Sequence, residues 1–259
     1  MPSTTASGEE VYCTLILNDA YLPGALVVAR SLKKHGAKRK LAVLAVLTSI
    51  SKDTILALEQ HFDYLIDVKK LTNDNLTELN MMGRPDLLAT FTKIALWHQT
   101  QFRKIVYLDA DTLPLRAPDE LFDIAGPFAA APEIGFPDCF NSGVMVLEPS
   151  VNIYKQLLGL AVQGISFDGG DQGLLNIYFK DFSRLSFMYN VELYRTYRLY
   201  MPAMKHYMEK LTVVHFIGKA KPWDLKGVAP VDESAYASFY CELIGKWWAI
   251  YEDQAVKVA

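Results

Sequence analysis

The 259-residue chain predicts one α/β domain on an open, mainly parallel central sheet flanked by helices, with a mixed or antiparallel C-terminal half. Three observations carry that expectation. Strand-length apolar runs alternate with helical stretches at the start of the chain, the β-α-β order that lays down a parallel sheet. One such run, residues 105–108, ends in two acids, Asp109 and Asp111, and open sheets bind ligands beyond the carboxyl ends of their strands. From Phe128 onward the runs shorten and loops multiply, which predicts antiparallel additions.

Taken in order, residues 11–17 form an apolar first strand, followed by Asn18-Asp19-Ala20-Tyr21. Leu26, Ala29, Arg30 and Leu32 set the faces of a helix over 22–34. Residues 41–47 are continuously apolar, as expected of a strand covered on both faces. Ser51-Lys52-Asp53-Thr54 opens a second helix that runs through Leu58 and Phe62, and residues 64–68 supply a third strand. Residues 87–99 follow Arg84-Pro85-Asp86 and have helical spacing in Leu88, Phe91, Ile94, Ala95 and Trp97. Short strands at 142–147 and 211–215 come next, and an aromatic-rich helix over 234–251 closes the chain. No internal repeat, low-complexity segment or linker interrupts residues 1–259.

The apolar fraction of 51% and charged fraction of 21% are those of a globular protein with an ample core. A net charge of −3 argues against a nucleic-acid partner, which would call for a strongly basic face. The basic cluster Lys33, Lys34, Lys38, Arg39 and Lys40 lies where the first helix ends, and cations are favoured at a helix C-terminus. Cys13, Cys139 and Cys241 are too few and too widely spaced for a disulfide framework or a zinc site, and Cys13 and Cys241 read as small buried hydrophobes. Residues 1–10 are polar and no run of about 18 apolar residues occurs, so neither a leader peptide nor a membrane span is expected. The expected compartment is the reducing cytoplasm.

An Asp-x-Asp on its own is a weak motif, since two solvated loop acids look the same. At a strand end, however, it offers several oxygens to one hard divalent cation, which can neutralise a bound diphosphate. The glycine-rich cradles of dinucleotide enzymes and P-loop proteins are absent, so metal and cationic side chains would have to hold any diphosphate. Gly-x-Ser-x-Gly and His-Glu-x-x-His are absent too. Three further segments stand out: 137–143 (Pro-Asp-Cys-Phe-Asn-Ser-Gly), 166–173 (Ser-Phe-Asp-Gly-Gly-Asp-Gln-Gly) and 213–223 (Val-Val-His-Phe-Ile-Gly-Lys-Ala-Lys-Pro-Trp). Gly169-Gly170 also suits a plain turn with Asp171 at a helix N-terminus, and a lone His215 also suits a satisfied core histidine.

Together with Asn18-Asp19-Ala20-Tyr21, Arg84-Pro85 and Asp109-Ala110-Asp111-Thr112, these segments resemble glycosyltransferase family 8, and its glycogenin group in particular, from about Val11 to Trp223. The resemblance implies a GT-A fold, with a nucleotide-binding half over about 11–125, a donor-sugar and acceptor half over about 126–225, and a C-terminal helix at 230–253. It implies retaining transfer of a hexose, glucose first, from a UDP-hexose with Mn²⁺ (or Mg²⁺). Asp109, Asp111 and His215 would ligate the metal beside Ala110, and Lys221 with the backbone at Gly218 would hold the diphosphate. Leu15 and Tyr21 would lie along uracil and ribose. Arg84, Lys93, Asn141, Ser142, Asp168, Asp171 and Gln172 would surround the donor sugar, with Asp171, Gln172 and Lys221 closest to the chemistry. Ile16 and Leu17 replace two hydroxyl residues of that group and would make the uracil pocket more apolar.

The resemblance also implies a homodimer. Its self-glucosylated tyrosine falls here on Arg198, four residues before Pro202, with Tyr194, Tyr197 and Tyr200 nearby. The chain ends near Ala259 without the long tail of a glycogen primer. The acceptor is therefore left open among an own tyrosine, an oligosaccharide and a small polyol. A galactinol-synthase-like transfer of galactose to inositol, a non-catalytic UDP-sugar-binding scaffold and an Asp-x-Asp phosphohydrolase are the competing readings. The intact metal, diphosphate and sugar positions speak against the scaffold, and the sugar-facing motifs against the phosphohydrolase.

Overall fold

The computed structural model describes residues 8–72, 85–193, 197–227, 229 and 235–253, with 85–89, 197–199 and 235–236 described by backbone alone. Strands β1 (Glu9–Ile16), β2 (Lys40–Ala45), β3 (Tyr64–Asp67) and β4 (Phe102–Leu108) form the parallel side of a seven-stranded sheet. Its remaining strands are β6 (Phe128–Pro132), β7 (Phe140–Leu147) and β8 (Ser183–Arg184), in the order β3-β2-β1-β4-β7-β6-β8. β7 runs antiparallel to both β4 and β6, so the sheet turns mixed where the sequence pattern changes. A second, three-stranded sheet joins β5 (Thr112–Pro114), β10 (Val213–His215) and β9 (Val191–Glu192), with β10 in the middle.

Six α-helices occur among the described residues: α1 (Leu22–Lys34), α2 (Lys52–His61), α3 (Val151–Val162), α4 (Asp171–Tyr178), α5 (Tyr197–Tyr207) and α6 (Ala235–Glu252). α1 has the bounds its periodicity predicts; Lys33 and Lys34 occupy its last turn, and Lys34 pairs with Asp253 at 3.0 Å. α2 begins one residue after Ser51, whose hydroxyl accepts from Thr54 N at 3.2 Å and satisfies an otherwise unpaired first-turn amide.

The segment expected as a helix at 87–99 is a tight 3-10 helix, Pro85–His98. Its buried Phe91, Ile94 and Trp97 recur every three residues, the period that puts them on one stripe of a three-residue turn. β1 and β2 end earlier than expected, at Ile16 and Ala45, because the apolar runs continue into turns. Cys13 is buried as expected, whereas Cys241 is only half-buried, on the rim of α6.

Alternation along β1 divides the core. Val11, Cys13 and Leu15 face the side of the sheet covered by the 85–98 helix, α3 and α4, while Tyr12 and Ile16 face α1 and α2. A third cluster joins the small sheet to α5 and α6 around Trp247, which is fully buried. Trp247 meets Trp223 at 5.9 Å and Tyr251 at 5.3 Å between ring centroids, and the Trp248 indole donates to Pro222 O at 3.0 Å. α6 therefore backs the turn that follows β10. On the other side, a Cβ on Gly24 of α1 would lie 2.1 Å from Ala110 O, so only glycine lets α1 sit this close to the acid-bearing turn.

Trp247→Ala should cost about 3–5 kcal/mol of folding stability, the usual loss for emptying a buried indole site. Urea unfolding with equal m-values for the two proteins is the measurement that checks it.

Candidate active site

The acid pair occupies the turn by which the chain passes from the large sheet to the small one. Asp109 N donates to Gly143 O of β7 at 2.8 Å, and Thr112 N closes the turn onto Asp109 O at 3.0 Å. Phe216 N, just past β10, donates to Asp111 O at 3.0 Å. Because β10 pairs with β5, His215 lies opposite Thr112. Its Nε2 is 3.2 Å from Asp111 Oδ1 and 3.9 Å from Asp109 Oδ2. One ligand atom from each of Asp109, Asp111 and His215 lies within 4.8 Å of the others.

Cationic side chains flank the acids on two sides. Lys221 Nζ donates to Asp111 Oδ2 at 2.6 Å and to Phe216 O at 3.1 Å. Lys93 Nζ bridges Asp109 Oδ1 at 3.0 Å and Asp171 Oδ2 at 2.7 Å. Tyr107, two residues before Asp109 on the same strand, donates its hydroxyl to Asp109 Oδ1 at 2.5 Å. Burial opposes the charge on Asp111, yet the neighbouring His215 and Lys221 hold its carboxyl far below the usual range. Burial wins at Asp109, whose carboxyl is raised despite Lys93, with Asp111 adding repulsion. Burial also works against the Lys93 ammonium, but the charges of Asp109 and Asp171 raise its pKa on balance.

Hydrogen bonds fix which imidazole nitrogen of His215 faces the acids. Asn190 Nδ2 donates to Asn141 Oδ1 at 2.9 Å, so Asn190 Oδ1 is the end that faces His215 Nδ1, at 3.0 Å. Nδ1 thus donates to Asn190, and Nε2 is the nitrogen turned to the carboxylates. Gly143 leaves room for the ring, since a Cβ there would lie 2.2 Å from His215 Cε1.

α4 is docked on β7 by Asn176, which accepts from Phe140 N and donates to Phe140 O, both at 2.9 Å. This brings Asp171 to Ser142, whose hydroxyl donates to Asp171 Oδ2 at 2.7 Å, and Gln172 Oε1 to Ser142 N at 3.2 Å. Asp168 Oδ1 accepts from Ser166 Oγ, Gly170 N and Gly173 N at 2.8–2.9 Å, which shapes the turn into α4. Burial, the largest influence on Asp168, raises its pKa.

These groups open on one cleft of about 340 Å³. Leu15, Tyr21, Lys93, Asp109, Ala110, Asp111, Asn141, Ser142, Asp168, Asp171, Gln172, His215, Gly218 and Lys221 all line it. Arg84 and Tyr194 lie outside the described residues, and so do the side chains of Tyr197 and Arg198. Of the two residues expected to make a base pocket more apolar, Leu17 lines the cleft, but Ile16 packs into the opposite core beneath α1. The two-residue alternation of β1 separates them. Tyr107, Thr90 and Asn190 were not foreseen. Tyr107 had a signal, its i, i+2 relation to Asp109 on one strand face, whereas Asn190 is far from His215 in sequence and had none.

Residues 12–227 match glycosyl transferase family 8. The chain belongs to that family. It is 52% identical to the glycogenin of Neurospora crassa over 95% of its own length and 35% of that protein's. Against human glycogenin-2 it is 39% identical, over 96% of this chain and 51% of the relative. Against rabbit (Oryctolagus cuniculus) glycogenin-1 it is 41% identical, over 96% and 77%. The chain thus spans about a third and a half of the first two relatives. Among solved structures, apo GlyE of Streptococcus pneumoniae superposes with a TM-score of 0.64 at 22% identity, covering 98% of this chain and 65% of that one. An active-site mutant of LgtC superposes with a TM-score of 0.64 at 18% identity, covering 91% and 95%. These likenesses show the shared GT-A fold.

The donor set in this family 8 chain fits a divalent cation. Two carboxylates and one imidazole with its Nε2 turned inward are an oxygen-rich, borderline set that suits Mn²⁺ or Mg²⁺ better than softer metals. No helix among the described residues is long and apolar enough to cross a membrane.

Gly143→Ala should lower divalent-cation affinity about tenfold or more, because the new methyl displaces the His215 ring. Titration calorimetry on the folded variant checks this, with circular dichroism confirming an unchanged fold.

Proposed function

We propose that this chain is a retaining glycosyltransferase that moves a hexose, glucose, from a UDP-hexose to an acceptor hydroxyl with the help of Mn²⁺. The observation that carries this reading is the convergence in one cleft of a cation-binding triad, a buried lysine beside it, and a group of sugar-sized polar side chains opposite. Membership of family 8 and the extent of the glycogenin likeness support it.

Asp109, Asp111 and the Nε2 of His215 would hold the cation. When bound, it supplies positive charge that neutralises the diphosphate as negative charge builds on departure. Lys221, held by Asp111 and Phe216 O, has a third N–H free in geometry to donate to a phosphate oxygen. Leu15, Leu17 and Tyr21 form the apolar wall expected to take the base and ribose, with Tyr21 braced edge-to-face by Trp223 at 5.5 Å. Asn141, Ser142 and Gln172 present amide and hydroxyl groups to the hexose.

Asp171 sits where a carboxylate favours positive charge at the sugar's reacting carbon. Its Oδ2 already receives Lys93 at 2.7 Å and the Ser142 hydroxyl at 2.7 Å. Both bonds pull electron density from that oxygen and lower its nucleophilicity. This favours Asp171 as an electrostatic stabiliser over Asp171 as a covalent nucleophile. The incoming hydroxyl then attacks from the face the diphosphate leaves, giving its proton to the departing phosphate, and the configuration is retained.

UDP release from UDP-glucose should require Mn²⁺, and Asp109→Ala or Asp111→Ala should each lower kcat about a hundredfold or more. Turnover that ignores both chelation and these substitutions would overturn the assignment. Intact mass after incubation with UDP-glucose and Mn²⁺ reads the acceptor. Added hexose that is lost in Tyr200→Phe assigns it to this exposed tyrosine of α5, and an unchanged mass directs the search to external acceptors.

A further inference from the structure

The last turn of α6 is tied to the rest of the domain by a buried arginine that plays no part in the chemistry above. Arg30 of α1 is 8% exposed. Its Nη1 donates to Tyr251 O, one of the final carbonyls that a helix leaves without a partner of its own. The guanidinium carbon lies 5.7 Å from the centre of the Tyr251 ring, and a cation is favoured at a helix C-terminus. On its other side Arg30 meets His61, the buried last residue of α2. Its Nε and Nη2 are each 3.2 Å from the imidazole Nε2.

Arginine has only donors, so His61 Nε2 must offer its lone pair to Arg30. Nδ1 lies 2.8 Å from Ala57 O, which can only accept, so the ring hydrogen is there. His61 is therefore neutral in this arrangement. The groups that receive Arg30 are an imidazole lone pair, a carbonyl and a ring face, none of them charged. Charged and titratable side chains on the elements packed around His61 have other partners. Lys34 of α1 pairs with Asp253 at 3.0 Å, and Glu252 of α6 pairs with Lys226. Asp63 accepts from Leu41 N at 2.8 Å and Asp67 of β3 from Leu47 N at 3.2 Å, while Tyr64 donates to Glu9. Lys33, Lys52, Asp53 and Glu59 are exposed. A proton on His61 Nε2 would set a second cation against the guanidinium and remove its acceptor. Both effects oppose protonation.

We infer that Arg30 and His61 form a pH-sensitive clasp on the C-terminal helix. Neutral His61 holds the guanidinium where it caps α6, and a proton on His61 drives the two side chains apart and releases the cap. An imidazole that resists protonation in the folded chain stabilises it fully above the ordinary histidine range, about 6.5. That stabilisation is lost as the pH falls below this range, where the opened chain takes up the proton and the closed one does not. The same helix presses Trp247 on Trp223 and Trp248 on Pro222, behind Lys221, so the clasp secures the far end of the element that backs the site. Arg30, His61 and Tyr251 do not line the cleft, and the clasp stands independently of the transfer reaction.

NMR on the parent, His61→Gln and Arg30→Gln chains from about pH 8 to about pH 5 tests the clasp. Glutamine can place a carbonyl oxygen near the position of Nε2, and it does not titrate. The parent His61 ring should stay neutral, with its hydrogen on Nδ1, below the pH at which a free histidine is half-protonated. Arg30→Gln should return its titration to that ordinary range. Amide protection over residues 248–252, corrected for intrinsic exchange, should fall by up to about tenfold per pH unit below about 6.5 in the parent. It should stay level in His61→Gln. Both chains keep the other four of the five histidines, so the difference isolates this one. A parent His61 that titrates in the ordinary range, or an equal acid loss of protection in His61→Gln, would overturn the clasp. Should Arg30→Gln fail to fold, the parent titration and His61→Gln decide between these outcomes.

Discussion

Asp109 and Asp111 are withdrawn from water in the turn that carries the chain from one sheet into the other, and the rest of the site follows from how that charge is compensated. Two carboxylates this close, Asp111 buried and Asp109 half-buried, would cost several kcal/mol without partners. Lys93 from the 85–98 helix, Lys221 from the turn after β10 and His215 at the end of β10 supply them. These elements are distant in sequence, so the compensation itself ties the two sheets and the 3-10 helix to one point. Gly24 and Gly143 allow the ties to close, one against the backbone of the acid turn and the other against the imidazole.

The same arrangement separates the site into two ends with different chemistry. On one side Lys221 and the triad gather positive charge, or the capacity for it, where a diphosphate would leave. On the other side Lys93 is spent on Asp109 and Asp171, and the polarity comes from amides and a hydroxyl. An anionic leaving group and an electron-poor sugar carbon need these opposite environments.

Much of this was legible in the chain. The 22–34 helix and the parallel strands follow from apolar periodicity, because the first half alternates long, regular elements. The 112–114 strand is too short to show a period, and the 197–207 helix contains Pro202, which reads as a breaker. The 151–162 helix had a usable signal in its Ser150 cap, whose hydroxyl accepts from Ile153 N. Site residues in compact motifs, such as Asp109-Ala110-Asp111 or Asp168 to Gln172, were legible because neighbours in sequence stay neighbours in space.

The sequence by itself determined the fold class, the strand that delivers the acids and the identity of most groups that line the cleft. Only the tertiary structure decided which nitrogen of His215 faces the acids, and that Ile16 leaves the cleft while Leu17 enters it. These depend on contacts between segments such as 133–143, 190–192 and 213–215, brought together by strand pairing in two different sheets. Periodicity reports which face of an element is buried, but not which buried side chain will supply the next hydrogen bond.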